Sequence, residues 1–143
     1  MCLFANKDNP KKGKFSIRFD SKGYATCWKI YDKKDDNCLV PPYYPSDDIS
    51  HGWIVSDRKS KKICEKNGDS FDNFFGKHSV EHGIHVYIFE KHAMQDFEID
   101  NNSCIVPVRC HKSQLIAIDS GLPVAAFMKV FLKKEDFEKA IKQ

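Results

Sequence analysis

No stretch of this chain approaches the roughly 18 consecutive apolar residues of a membrane helix. A membrane partner is therefore not expected. Residues 1–8 (MCLFANKD) hold no basic segment ahead of an apolar core, so no secretory leader is read there and a cytoplasmic location is expected. There is no C-x-x-C pair among the six cysteines (Cys2, Cys27, Cys38, Cys64, Cys104 and Cys110), which excludes a zinc knuckle and a thioredoxin-type motif. Reduced thiols are expected in that compartment. A large charge of one sign is also missing. The net charge is only +3, and acidic residues stand between the basic pairs. With no recognition-helix or RNP-type pattern, a nucleic-acid partner is not expected. Internal repeats and long linkers are absent, so residues 1–143 read as one domain.

What the chain does hold is apolar and aromatic material. Hydrophobic residues make up 41% and aromatics 13%, with eleven Phe. A domain of this length buries roughly 68–70% of its unfolded surface, so a packed core is expected and disorder is not. The clearest strand is 83–90 (GIHVYIFE), leading into a short helical pattern at 91–97. Residues 14–19 alternate, with Phe15, Ile17 and Phe19 on one face, then turn at 20–23 into a second strand at 24–31. This predicts a β-hairpin. Residues 52–55 form another strand. At 69–75, Asp69 or Ser70 caps a helix whose inner stripe is Phe71, Phe74 and Phe75. Residues 103–110, 114–118 and 124–132 read as a three-stranded antiparallel meander, with Pro107 marking an edge or a bulge. Cys104 and Cys110 share parity on the first of these strands, too far apart to bond to each other. A final helix at 133–141 turns Phe137, Ala140 and Ile141 inward.

The chemistry on offer divides three ways. His78, Glu81 and His82 match H-x-x-E-H, the inverted zinc-protease pattern. That mechanism sets both histidines one turn apart on a helix, with the glutamate activating water. Gly83 and a strand follow at once, and Glu90, His92 and Cys104 compete for the third ligand. The plain alternative is a polar helix end. Cys2 becomes the first residue if Met1 is removed and could act as a nucleophile with its own amine as base. Leu3 and Phe4 beside it read equally as an apolar plug. The third option is an anion site. His85 shares strand parity with Tyr87 and Phe89, so that face is not purely apolar and could line a pocket. The alternative is a face covered by Trp28 or Trp53. Arg58 lies in a basic segment, 56–62, suited to phosphate or simply to solvent. Tyr43 and Tyr44 sit in a proline-rich loop, 41–45, where side chains often recognise ligands, or where the rings simply cover the edge of the core.

Residues 28–31 (WKIY), 52–54 (GWI), 56–58 (SDR), 83–87 (GIHVY) before Ala93, 106–109 (VPVR) and 129–132 (KVFL) before Glu135 and Asp136 carry a resemblance. Together they make the chain beyond residue 24 resemble a small domain of uncharacterised proteins from bacteria and phages. The resemblance implies a fold and a microbial or viral setting, and transfers no catalytic residue. In that setting small proteins often act by binding, sequestering a nucleotide signal or blocking a host protein.

The expectation is thus a compact α+β domain: a mainly antiparallel, strongly bent sheet of about six strands with two or three short helices. Its leading function is non-enzymatic binding of a small anionic, nucleotide-like ligand through Tyr44, Trp53, Arg58, His85 and Arg109. The arginines would take phosphate, and Tyr44 or Trp53 would stack a base. No cofactor is expected. A small hydrolase and a host-protein inhibitor are the alternatives. Edge strands make a homodimer reasonable.

Overall fold

The computed structural model describes residues 3–34, 38–40, 49–55, 77–80, 83–96 and 103–142. Its spine is a pair of long strands, β2 (Tyr24–Lys33) and β7 (Ser103–His111). Every second residue of β7 is buried: Cys104, Val106, Val108 and Cys110 point inward, while the residues between them are half-exposed. That is the period-two pleat of a strand with one core face. The two strands pair antiparallel over nine positions, from Tyr24 opposite His111 to Asp32 opposite Ser103.

The remaining strands are β1 (Leu3–Asn6), β3 (Leu39–Val40), β4 (Gly52–Val55), β5 (Lys77–Val80), β6 (Ile84–Tyr87), β8 (Leu115–Ile118), β9 (Val124–Phe127) and β10 (Lys129–Leu132). The helices are α1 (Glu90–Asp96) and α2 (Lys134–Lys142). The main sheet runs β4-β10-β7-β2-β6-β9-β8, with β3 beside the far end of β2. β1 and β5 form a separate antiparallel pair. All strand pairing in the described residues is antiparallel.

One connection dictates the shape. β9 and β10 are separated in sequence only by Met128, yet three strands lie between them in the pairing order. The sheet must curl until these two ends meet, so its middle becomes a partly closed barrel. Inside lies the larger core: Cys27, Tyr31, Val86, Val106, Val108, Phe127, Val130 and Leu132, stoppered by Phe137 and Ala140 of α2. A second, smaller core sits outside β6, β9 and β8. There Leu3, Ala5 and Val80 of the β1/β5 pair, with Ala93 of α1, cover Tyr87, Val124 and Ala126. Asp119 ties this layer down. It is 4% exposed, and its carboxylate accepts the amides of Phe4, Gly121 and Leu122, each at 2.9 Å.

The α+β class, the bend and both helices stand as the sequence suggests. The strand count does not: among the described residues eight strands share the main sheet and two form the smaller one. Residues 14–19 are not a strand. Phe15, Ile17 and Phe19 do pack against the inner core, but β2 takes β7 as its hairpin-length partner, over nine positions. The turn at 20–23 is present. Asp20 accepts the Gly23 amide at 3.0 Å, and Gly23 adopts φ 88°, where a side chain is strained. The expected meander is opened by the break at Met128, and only β8 and β9 remain hairpin neighbours. Pro107 lies in an interior strand, not at an edge. Only Phe131 of β10 pairs with β7, opposite Arg109, so the proline's missing donor falls where that ladder has stopped. The predicted helix at 69–75 lies outside the described residues.

Candidate functional site

Directly opposed residues of an antiparallel sheet share a face. Trp53 opposes Phe131, Phe131 opposes Arg109, and Arg109 opposes Thr26. One row therefore crosses β4, β10, β7 and β2 on the outside of the barrel. The inward neighbours of these residues (Ile54, Val130, Val108, Cys110 and Cys27) are all buried, which fixes which way the row points. Lys129, opposite Val55, and the pair Tyr24–His111 lie two residues along on the same side and form a second row beside it.

The side chains of this face touch. The Trp53 and Phe131 rings meet edge to face, with centroids 5.1 Å apart. The Lys129 Nζ lies 4.6 Å from the Trp53 ring centre, and the Arg109 guanidinium 4.8 Å from that of Tyr24. Tyr24 in turn meets His111 edge to face at 4.7 Å. Each cation is thus held against an aromatic ring by the ring's negative face. Trp53 remains 53% and Val55 65% exposed. Beside Arg109 lies an open depression of about 350 Å³, lined by Arg18, Phe19, Asp20, Tyr24, Thr26 and Arg109 among others. Asp20 accepts the amides of Tyr24 and Lys22, each at 2.9 Å. The Tyr24 bond foremost, then the Lys22 bond and the nearby charge of Arg109, hold its carboxyl below the usual range. Asp20 therefore stays ionised and is turned to its own β-turn, while Arg18 and Arg109 leave the depression cationic.

Of the residues expected from sequence, Trp53 and Arg109 come together, about 10 Å apart across two strand spacings. Tyr44 and Arg58 lie outside the described residues. His85 is not part of this group. It lies on β6 opposite Ala126, two strands from Arg109 and about 13 Å further along the strand direction. It is half-buried, and its carbonyl accepts the Lys29 ammonium at 3.0 Å. That half of the outer face is closed over by the β1/β5 pair and α1. Tyr87 donates to Asp96 of α1 at 2.9 Å, and Trp28 packs against the smaller core.

The zinc pattern meets a different geometry. His78 lies on β5 opposite Ala5, so the motif begins in a strand where a helix is required. Glu81 and His82 lie outside the described residues, as does Cys2. His92 is on α1, with its ring 5.6 Å from Phe89 and 6.1 Å from Phe15. Cys104 points into the barrel and donates to the Tyr31 carbonyl at 3.5 Å, and burial pushes its thiol up to about 11. Among the described residues no three His, Cys, Asp or Glu side chains assemble into a group fit for a metal ion.

Sequence reasoning missed Phe131, Lys129, Tyr24, His111 and Arg18. Alternation within 24–33 and 129–132 places Tyr24 and Phe131 on outward faces. What it lacks is the pairing of β4 with β10 and of β10 with β7, which joins those faces. No protein-family model, curated protein or solved structure matches the chain. No described helix is long and apolar enough to cross a membrane.

Proposed function

We propose that this is a binding protein that holds a small anionic, nucleotide-like ligand on the outer face of β4, β10, β7 and β2. The observation that carries the reading is the row Trp53–Phe131–Arg109, with Lys129 and Tyr24 in contact with it. The half-exposed indole supplies a flat surface for a base. Arg109 and Lys129 supply charge for phosphate, Arg109 through a planar fork and Lys129 as a point charge. Holding a ligand this way needs no bond to be made or broken, which suits a protein that sequesters its ligand. Arg58 and Tyr44 remain proposed contacts from the sequence.

The test is calorimetric titration with AMP and GMP of the wild type, Trp53→Ala and Arg109→Ala. Each variant is expected to bind about ten-fold more weakly or worse, from a stacking contribution of about 1–3 kcal/mol and a charged hydrogen bond of about 1.5–3 kcal/mol. Equal affinity in all three proteins overturns the assignment.

A further inference from the structure

We infer that this face takes single-stranded nucleic acid, not only a lone nucleotide. The inference rests on the nucleotide-binding reading above and extends it.

The row is longer than one nucleotide. The row crosses four strands, about 14 Å at about 4.8 Å per strand, whereas stacked nucleotides repeat every ~3.4 Å. A single base covers only part of it. There are two aromatic stations, Trp53 with Phe131 and Tyr24 with His111, and each has its own cation, Lys129 or Arg109. One nucleotide has one base and can occupy one station, while nucleotides a few positions apart on one strand occupy both and lay the phosphates between them on Arg109.

The face is also cationic. Among the described residues, few acids stand on this face. The outward positions of the four strands carry Lys129 and Arg109, and their one acid, Asp32, is at the far end of β2, where it accepts the Ser103 hydroxyl at 2.8 Å. Asp20 borders the depression, but its Oδ1 is committed to the Lys22 and Tyr24 amides, and Arg18 offsets its charge. Among the described residues, folding thus brings Arg18, Arg109 and Lys129 to one face. Ring faces and point charges recognise any base and any phosphate, so binding should tolerate sequence. A duplex hides its base faces and should bind poorly.

The experiment measures anisotropy of a fluorescein-labelled thymidylate decamer on the full chain, with dTMP, unlabelled decamer and a duplex of the same length as competitors. The decamer is expected to bind at least about ten-fold tighter than dTMP, because it fills both stations. Its affinity should fall with salt at a log–log slope of about −1.4 for two phosphates. Trp53→Ala and Tyr24→Ala should each weaken the decamer about ten-fold. Trp53 is exposed, so its variant folds and keeps the test decisive if Tyr24→Ala does not. Equal affinity for dTMP and decamer would leave the nucleotide reading standing and overturn this inference. No binding of either would overturn both. Duplex binding as tight as single strand, indifferent to Trp53→Ala, would also overturn it.

Discussion

Lys29 sits where the barrel wall opens, and it makes a prediction that can be worked through. β2 pairs with β6 at only one position, Trp28 opposite Tyr87, and with β3 only from Asp32 onward. Between them the wall has no ladder, and the Lys29 side chain bridges it. Its ammonium donates to the His85 carbonyl at 3.0 Å and lies 5.4 Å from the Tyr31 ring centre. Burial lowers its pKa from 10.5 to about 8, a cost of at most about 3 kcal/mol to the charged form. Between those two values the unfolded chain holds a proton that the folded chain has lost. Stability from this group therefore rises with pH across that window and is lowest below pH 8. Buried thiols run the other way: Cys104 and Cys110 are raised, the latter by its bond with Cys27 and by burial. The unfolded thiols ionise first, and their contribution falls as pH rises above about 9. The difference between wild type and Lys29→Met cancels the thiols. In urea unfolding, that difference should move in favour of the wild type by about 2–3 kcal/mol between about pH 7 and about pH 10.5. At neutral pH the two should be close, because the variant sheds the burial cost but leaves the His85 carbonyl without its donor, about 1–3 kcal/mol. Stability curves that stay parallel over this range would refute the assignment.

Other consequences follow from the same packing. Phe127→Ala should cost about 3–5 kcal/mol in chemical denaturation, because the ring is fully buried at the bend that closes the barrel. Asp119→Ala strands three amides and should cost about 3 kcal/mol or more in the same assay. Gly13→Ala should lower the melting temperature, since a Cβ there would collide with the Asp119 carbonyl oxygen. Trp53→Ala should cost about 1–2 kcal/mol through its contacts with Phe131 and Lys129, and the variant should still fold, separating its binding role from folding.

Local patterns in the sequence carried much of this fold. The alternation of 103–110 was legible because one face is buried throughout, and it placed Cys104 and Cys110 on one face, which the structure turns inward. The final helix was legible from Phe137, Ala140 and Ile141, with acids in its first turn and lysines in its last. What local patterns cannot supply is partner choice. Residues 14–19 alternate like a strand because Phe15, Ile17 and Phe19 all meet the core, yet no ladder forms there. Residues 124–132 read as one strand because apolar residues run through Met128, whereas the chain changes neighbours at that point. The site failed in the same way. Trp53 and Arg109 were chosen for their chemistry, and their meeting depends on β10 lying between them. His85 was chosen for its parity, which is correct, but parity says nothing about the distance between strands.

The central claim is that ligand binds the outer face of β4, β10, β7 and β2. Amide-resolved NMR of the isotope-labelled protein titrated with AMP tests it directly. The account predicts shifts concentrated at Trp53, Phe131, Arg109, Thr26 and Lys129, with little change in β1, β5 and α1. Shifts centred on His85 and α1, or none at saturating AMP, would contradict it.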